Sequence, residues 1–278
     1  GVRTHYDNEK STQSRMMSLL VPGLLATAVL FASGIRQFNA FKKGDVHDVI
    51  SRILGITGCA LAVMLVILGL DDNGGRPTTG LMGSLLGALL MLIILGSSFK
   101  QPVNALLIGV APLTGVFTLI AAAMGPVSSQ LNPLSFETAL HVATSIVAYG
   151  AIAYAGTLAI LLSWQHKKLK ERPLNRLAIA LPPLDAMEHL FLRTVQTAWI
   201  VLTLALATGI FYVENFWAQQ LAHKTALSAL AWCGMALAMW QHFNEGGVTR
   251  RMRQTAIVAA ALLCVGYLGS KAILEFVL

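Results

Sequence analysis

The chain has few charged residues. Lysine, arginine, aspartate and glutamate together make up 12% of its 278 residues, whereas a soluble domain carries roughly a quarter. A globule of this size would lack the polar surface that keeps it in water, so we exclude an ordinary soluble enzyme. In place of charge, the sequence has 55% hydrophobic residues and a mean hydropathy of +0.66.

Cysteine is also scarce. The three cysteines are Cys59, Cys233 and Cys264, and no two of them form a C-x-x-C pair. The sequence thus lacks the C-x-x-C-H motif for covalent haem attachment and the C-x-x-C motif for thiol exchange. We exclude a c-type cytochrome and a disulfide carrier. Because all three cysteines lie in apolar segments, we expect them to be packing residues.

Charged residues are missing from the middle of every long apolar segment. Intramembrane ionisable residues usually mark ion and proton pathways, so their absence argues against a transporter that works alone. A pathway lined by Ser, Thr and backbone carbonyls stays open. The sequence also lacks a spaced Ser/His/Asp set, a glycine-rich phosphate loop and H-E-x-x-H, and we therefore expect that the protein is not an enzyme.

Long apolar segments dominate the sequence. A helix needs about 20 apolar residues to cross the roughly 30 Å hydrocarbon core of a bilayer, and eight segments approach or reach that length. They cover residues 18–35, 49–70, 80–98, 104–124, 139–164, 194–213, 224–241 and 255–274. We predict an all-α fold, with a single polytopic domain of eight transmembrane helices over 18–278. Residues 1–17 are predicted to be a polar, disordered tail, with Met16 or Met17 as a candidate natural start.

Lysine and arginine are unevenly distributed between the loops. Fourteen lie in or beside the loops that follow odd-numbered segments, and six lie on the opposite side. Basic residues accumulate in cytoplasmic loops, so these loops are predicted to be cytoplasmic and both termini to lie outside, in the periplasm. The net charge of +7 then reflects membrane topology, and nucleic acid is not an expected partner.

Small and aromatic residues indicate where helices pack. Gly83 and Gly87 in the third segment form a G-x-x-x-G pair, which lets two helices approach closely. This pair serves either packing inside the bundle or contact with another membrane protein. Phe216 and Trp217, in the outer segment after the sixth span, are a second candidate interface.

The connection between the fifth and sixth spans is rich in charge and ends in two prolines. Pro182 and Pro183 should break any helix that lies along the membrane surface. Asp185 and Glu188 follow in the first turn of the next helix, where negative charge suits the positive end of the helix dipole. We expect both carboxylates to be solvated capping residues rather than a catalytic pair.

Histidine is the residue type that can carry chemistry in this chain. The predicted topology places His141 and His223 at the outer ends of the fifth and seventh spans, and His166 and His242 at their inner ends. Each is either a polar side chain at the water boundary or a ligand, since imidazole is a common axial ligand of haem iron.

Several segments resemble one protein family. Residues 141–150, HVATSIVAYG, are similar to the H-x-x-x-S-x-x-x-Y helix start of the CcsA/HemX-type cytochrome c assembly superfamily. The run that begins PPLDAMEHLFLR at Pro182, together with MWQHFNEGGVTRRMR and YLGSK further on, resembles its YpjD branch of bacterial inner membrane proteins. The resemblance is strongest over 134–271, and the first four segments match in hydropathy and loop placement.

The resemblance implies haem as a cofactor. In the haem-handling members, a histidine at the position of His141 faces the outside and is implicated as a haem ligand, and one at the position of His242 lies toward the inner side. Those members also carry a Trp-rich external motif, of which this chain keeps Lys224 and Trp232. On topology, His223 is a candidate to replace a missing external ligand. No metal other than haem iron is expected.

Two functions follow, both for a multi-pass protein of the bacterial inner membrane surrounded by lipid. The first is a haem-binding or haem-handling accessory of cytochrome c maturation, favoured by His141 and His242. The second is a non-catalytic partner subunit of another integral membrane protein, favoured by the incomplete Trp-rich motif and the absence of intramembrane charge. The partner is then a cytochrome c maturation component or a CorC-type magnesium exporter, with which this branch is associated by gene neighbourhood.

Overall fold

A computed structural model describes residues 2–45, 48–72, 78–100, 103–124, 136–170, 181–212 and 219–266. Within these ranges the chain forms eight α-helices, a short 3₁₀ helix at Asn104–Leu106, and no strand. The α-helices are α1 (Val2–Lys42), α2 (Val49–Asp72), α3 (Thr79–Ser97), α4 (Leu107–Met124), α5 (Phe136–Lys170), α6 (Leu184–Tyr212), α7 (Gln219–Glu245) and α8 (Arg250–Cys264). The predicted all-α class is confirmed.

Six helical segments in the described ranges are long and apolar enough to cross a membrane. They are Leu19–Lys42, Val49–Asp71, Gly80–Ser97, Asn104–Met124, Phe136–Lys170 and Leu184–Phe211. They correspond to the first six predicted spans. Eight spans with both termini outside stay a prediction.

Side-chain caps lie at the starts of α2 and α8. The Asp48 carboxylate accepts the backbone N–H of Ser51 at the start of α2, at 2.9 Å. Thr249 caps α8, where its side chain accepts the backbone N–H of Met252 at 3.3 Å. Such caps satisfy N–H groups that have no partner inside the helix. As predicted, α6 begins just after Pro183.

Several helices extend beyond the apolar segments that predicted them, and α1 and α5 illustrate this. α1 begins at Val2, in the segment expected to be a disordered tail, although its apolar part begins at Leu19. α5 runs over Phe136–Lys170 rather than 139–164 and continues through a lysine-rich end. The reason is that hydropathy predicts only the part of a helix that lies in the hydrocarbon core of the membrane. Glu, Gln, Lys and Arg are good helix formers and prolong the helix into water.

The first of two compact units contains residues 1–39, 48–95 and 107–133. Glycines bring its helices together. A Cβ atom at Gly80 of α3 would lie 2.6 Å from the backbone of Ala121 in α4, and one at Gly58 of α2 would lie 2.8 Å from the side chain of Leu30 in α1. Residues with a side chain could not pack this closely. The core cluster of this unit consists of Leu65, Val66, Leu81, Ala121 and Ala122.

The second compact unit contains residues 40–47, 96–106 and 134–278, and α5 to α8 form a four-helix bundle within it. α5 packs against α6 and α8, and α7 packs against the same two helices, so α5 and α7 occupy diagonal corners. These two helices approach each other where the Tyr149 hydroxyl lies 3.5 Å from Oγ of Ser228. The bundle contains the positions of His141, His223 and His242.

Candidate functional site

His141 is held in a defined orientation between α5 and α6. It lies in the second turn of α5, and its Nδ1 is 3.2 Å from the hydroxyl of Thr208 in α6. That hydroxyl donates its own proton to the carbonyl oxygen of Ala205 at 3.0 Å. When Thr208 donates to Ala205 it can accept from the ring, and this arrangement favours the tautomer protonated at Nδ1. In that tautomer, Nε2 keeps its lone pair.

Gly209 makes room for this ring. A Cβ atom at this position would lie 2.9 Å from Cε1 of His141, which is closer than carbon atoms normally pack. Thr144, one turn along α5 from His141, also contacts Thr208, and the two hydroxyl oxygens are 3.3 Å apart. The ring is thus positioned by a hydroxyl pair and by a neighbour without a side chain.

This arrangement fits one axial ligand of a haem iron. A histidine that binds a metal through one nitrogen usually donates the other N–H to a fixed acceptor, which sets the tautomer and the ring plane. Thr208 supplies that acceptor, and the half-buried position of His141 leaves the ring approachable. Across the described ranges, no three His, Cys, Asp or Glu side chains gather closely enough to hold a metal ion.

His223 lies in α7 at the same end of the bundle. Its side chain falls outside the described residues, since those of α7 are described from residue 225 onward. The backbone register still places it, because Tyr149 and Ser228 meet at one height. His141 is about 12 Å above that height and His223 about 7.5 Å above it, at 1.5 Å per residue. The two positions differ in height by about one helical turn.

His242 lies at the opposite end of α7, in its last turn. Its ring packs edge-on against Phe243 with centroids 5.7 Å apart, and its Nδ1 is buried with no hydrogen-bond partner among the described residues. Nineteen residues separate it from His223, which is about 28 Å along a helix. These two histidines therefore cannot bind the same iron.

The tryptophan kept from the external motif has an internal contact. Trp232 of α7 stacks on Trp199 of α6 with ring centroids 5.5 Å apart, and its indole N–H donates to the Thr203 hydroxyl at 2.8 Å. Lys224, the other residue kept, has its side chain outside the described residues. Trp232 thus packs α6 against α7.

The candidate interface residues are placed as follows. A Cβ atom at Gly87 would lie 2.6 Å from the Thr114 hydroxyl in α4, and Gly83 faces Phe117 of the same helix. The G-x-x-x-G stripe of α3 is therefore covered by α4, which is the packing alternative of the two considered. Phe216 and Trp217 lie outside the described residues.

Two predictions about cysteine and acidic residues are wrong in part. Cys59 is buried, but Cys233 and Cys264 are exposed, because an apolar span presents part of its surface outward. Asp185 is 88% exposed, as a capping carboxylate should be. Glu188 is 29% exposed, and its Oε1 lies 3.3 Å from Nε2 of His166 in α5. The Asp185 carboxylate points to solvent beside His189, whereas the Glu188 carboxylate contacts His166 of the neighbouring helix.

The residues that position His141 were not found from sequence. The signal that was available is the Thr208–Gly209 pair at the outer end of an apolar span, since small residues mark close approaches between helices. The sequence does not indicate which side chain of a neighbouring helix contacts Thr208 and Gly209.

The comparisons with known proteins find one family model and several relatives. The family model described as "Cytochrome C assembly protein" matches residues 17–278. "Inner membrane protein YpjD" of Escherichia coli (strain K12) is 26% identical over 267 residues, which is 94% of each chain. The "Uncharacterized 28.8 kDa protein in nifR3-like 5'region" of Azospirillum brasilense is 27% identical over 218 residues, 75% of this chain and 80% of its own. No solved structure matches.

Proposed function

We propose that this chain, which belongs to the cytochrome c assembly protein family and is a multi-pass bacterial inner membrane protein, binds haem as an accessory of cytochrome c maturation. The observation that carries the proposal is the geometry of His141. Its Nδ1 is 3.2 Å from the Thr208 hydroxyl, and in the tautomer that donates from Nδ1, the Nε2 lone pair would bind the iron.

Each residue of the site has a separate task in this proposal. His141 binds the iron, Thr208 holds the ring in one tautomer, and Gly209 leaves the space in which the ring lies. Haem would be the bound cofactor, and its iron would supply the Lewis-acid centre to which the imidazole binds. The protein would bind and orient haem without changing its covalent structure, so we propose that it is not an enzyme.

His223 is the candidate for the second axial position. It lies at the same end of the bundle as His141, about one helical turn away in height. If both histidines held the haem, their imidazoles would both bind its iron, whereas His141 would be the single protein ligand if His223 did not take part. His242 is too far along α7 to share this haem and has a separate role or a separate haem.

Absorption spectroscopy tests the proposal. Haem added to the purified protein should give a saturable Soret band that is lost in His141→Ala and shifted toward a high-spin form in His223→Ala. The matched control is His189→Ala, because the His189 side chain is 70% exposed at the start of α6 and should have no effect. Equal, weak binding by all variants would mean that haem only partitions into the apolar bundle.

A second function is a partner subunit without haem, which we propose as the alternative. It is favoured by the loss of most of the Trp-rich motif and by the use of Trp232 for packing α6 against α7. The first partners to test are cytochrome c maturation components and a CorC-type magnesium exporter. Purification in mild detergent at native expression levels distinguishes the two functions, since recovery of the protein alone, with haem bound, would reject this alternative.

A further inference from the structure

A buried positive charge lies between α5 and α8, in a part of the bundle that the haem site does not use. Arg253, in the first turn of α8, is 6% exposed. Its Nε donates to Oγ of Ser163 in α5 at 3.2 Å, and its Nη1 donates to the carbonyl oxygen of Val248 at 3.2 Å. Both acceptors are neutral, so these hydrogen bonds orient the guanidinium without balancing its charge.

Two acidic side chains at this end of the bundle have other partners. Oε1 of Glu188 lies 3.3 Å from Nε2 of His166, and Oε1 of Glu245 lies 3.8 Å from Nη1 of Arg251. Among the described residues, no carboxylate forms a salt bridge with Arg253. Arginine is rarely buried to this extent unless it is paired, because a charge taken out of water needs a partner of opposite charge. An anion from outside the chain would supply that partner.

The start of α8 adds further positive charge around Arg253. Its first turn contains Arg250 and Arg251 and no acidic residue, although the N-terminus of a helix is the positive end of its dipole and favours negative groups. Side chains of a helix point back toward its N-terminus, and the Arg253 guanidinium accordingly reaches Val248, which directly precedes the cap residue Thr249. A buried guanidinium and a helix N-terminus thus present positive charge at one place.

The surroundings of the contact between Ser163 and Arg253 are basic on one side and apolar on the other. Lys167, one turn beyond Ser163 in α5, is exposed, and this end of the bundle is cytoplasmic in the predicted topology, where the leaflet contains anionic lipids. On the other side, toward the middle of the two helices, Ile160 of α5 and Val258 of α8 are both 57% exposed. A ligand with a negative headgroup and acyl chains matches both sides, whereas a small soluble anion matches the basic side alone.

We propose that Arg253 binds the phosphate of an anionic lipid headgroup at the cytoplasmic ends of α5 and α8. Within the described ranges its Nη2 donates to no acceptor, and this atom is not fully buried, so a phosphate oxygen can reach it. Arginine binds phosphate strongly through the N–H groups of its planar fork, and basic pockets between transmembrane helices on the cytoplasmic side bind lipid headgroups. The acyl chains then lie along Ile160 and Val258.

Lipid retention by the purified protein tests the proposal. Native mass spectrometry counts the molecules that stay bound after titration with phosphatidylglycerol, which has a net negative charge, or with phosphatidylethanolamine, whose ammonium group balances its phosphate. The wild type should retain one phosphatidylglycerol about 10-fold more tightly than phosphatidylethanolamine, the size expected for hydrogen bonds to a charged group. Equal retention of the two lipids would overturn the proposal.

Variants separate Arg253 from general surface charge. Arg253→Gln removes the charge but keeps an amide that can donate to Ser163, and it should lose the preference for phosphatidylglycerol. The matched control is Arg251→Gln, which removes an 81% exposed arginine from the same helical turn and should keep the preference within about 2-fold, since exposed charges contribute little. A wild-type preference in Arg253→Gln, or an equal loss in both variants, would overturn the proposal.

A third variant covers the case in which Arg253→Gln does not fold. Arg253→Lys keeps the charge that the fold contains but not the planar fork that binds phosphate, so it should bind phosphatidylglycerol more weakly than the wild type does. Unchanged affinity in Arg253→Lys would overturn the role given to the guanidinium.

Inorganic phosphate distinguishes a lipid from a soluble anion. At matched ionic strength it should raise the thermal unfolding midpoint of the wild type less than phosphatidylglycerol does, and it should not displace the bound lipid, because it has no acyl chains to contact Ile160 and Val258. Displacement of phosphatidylglycerol by inorganic phosphate would overturn the assignment to a lipid, since the site would then bind a soluble anion.

Discussion

Replacing Gly209 with alanine should displace His141 without unfolding the bundle. The added Cβ atom would lie 2.9 Å from Cε1 of the ring, and ordinary contact begins at 3.4 Å, so the ring must move by about 0.5 Å. Gly209 and Thr208 are on the same helix, and a ring that moves away from one moves away from the other. The contact between Nδ1 and the Thr208 hydroxyl, 3.2 Å in the structure, then lengthens to at most about 3.7 Å, which weakens or breaks the hydrogen bond.

The expected effect is on haem affinity rather than on stability. Loss of the group that orients a metal-binding histidine typically lowers affinity about 10- to 100-fold, which is about 1.4 to 2.8 kcal/mol. Alanine also has a higher helix propensity than glycine by about 1 kcal/mol, which offsets part of the steric strain. Titration of haem at the Soret band, with the thermal unfolding midpoint of each variant, measures both quantities.

Two further variants define what the result means. Gly109→Ala in α4 is the matched control, since a Cβ atom there meets nothing within 4 Å, and its haem affinity should equal that of the wild type. Thr208→Val removes the acceptor while keeping the shape, and should weaken binding as much as Gly209→Ala does. Wild-type affinity in both Gly209→Ala and Thr208→Val would refute the role assigned to the orientation of His141.

Three other predictions concern topology and packing. In a cysteine-free background and intact cells, Asp71→Cys should react with a membrane-impermeant reagent and Gly247→Cys should not, because α2 ends outside and the turn after α7 lies inside in the predicted topology. Gly80→Ala should destabilise the protein by about 1 to 3 kcal/mol, measured by thermal unfolding, because the backbone of Ala121 is 2.6 Å from the new atom. Arg253→Met should destabilise it by about 1 to 3 kcal/mol, because acceptors at 3.2 Å lose their buried donor.

Each of these three predictions has an outcome that would contradict it, and the two stability predictions have a control variant. Labelling of Gly247→Cys but not Asp71→Cys would invert the topology. Gly109→Ala, in open space, should not destabilise the protein as Gly80→Ala does, and equal effects would mean that close packing is not the cause. Arg251→Met removes an 81% exposed arginine beside Arg253, and an equal loss there would reject the role given to burial.

The sequence predicted the helices better than it predicted their contacts. The pattern for the third span, 80–98, differs from α3 by one residue at each end, because twenty apolar residues have few other structures in a membrane. The prolines at 182 and 183 predicted the start of α6 correctly, because the residue before a proline is disfavoured in the helical conformation. In contrast, the ends of α1 and α5 extend into polar sequence, where hydropathy carries no signal about helix formation.

Contacts between helices depend on rotation about each axis, which periodicity hardly constrains in a span that is apolar on all sides. His141 was found from a motif, but the Thr208 and Gly209 that hold it come 67 and 68 residues later in the chain. Glu188 was interpreted as a solvated capping residue, because an acidic residue predicted in the first turn of a helix interacts favourably with the helix dipole and needs no side-chain partner. Its contact with His166 depends on the packing of α6 against α5, which no local pattern describes.

Chemical rescue of the His141 site tests the central claim most directly. Replacing His141 with glycine removes the ligand and leaves a cavity, into which free imidazole can diffuse. The account predicts that the Soret band of bound haem is lost in His141→Gly and restored by added imidazole, while imidazole leaves the His189→Gly spectrum unchanged. A His141→Gly protein that binds haem with the wild-type spectrum and affinity, without imidazole, would contradict the claim that His141 is the ligand.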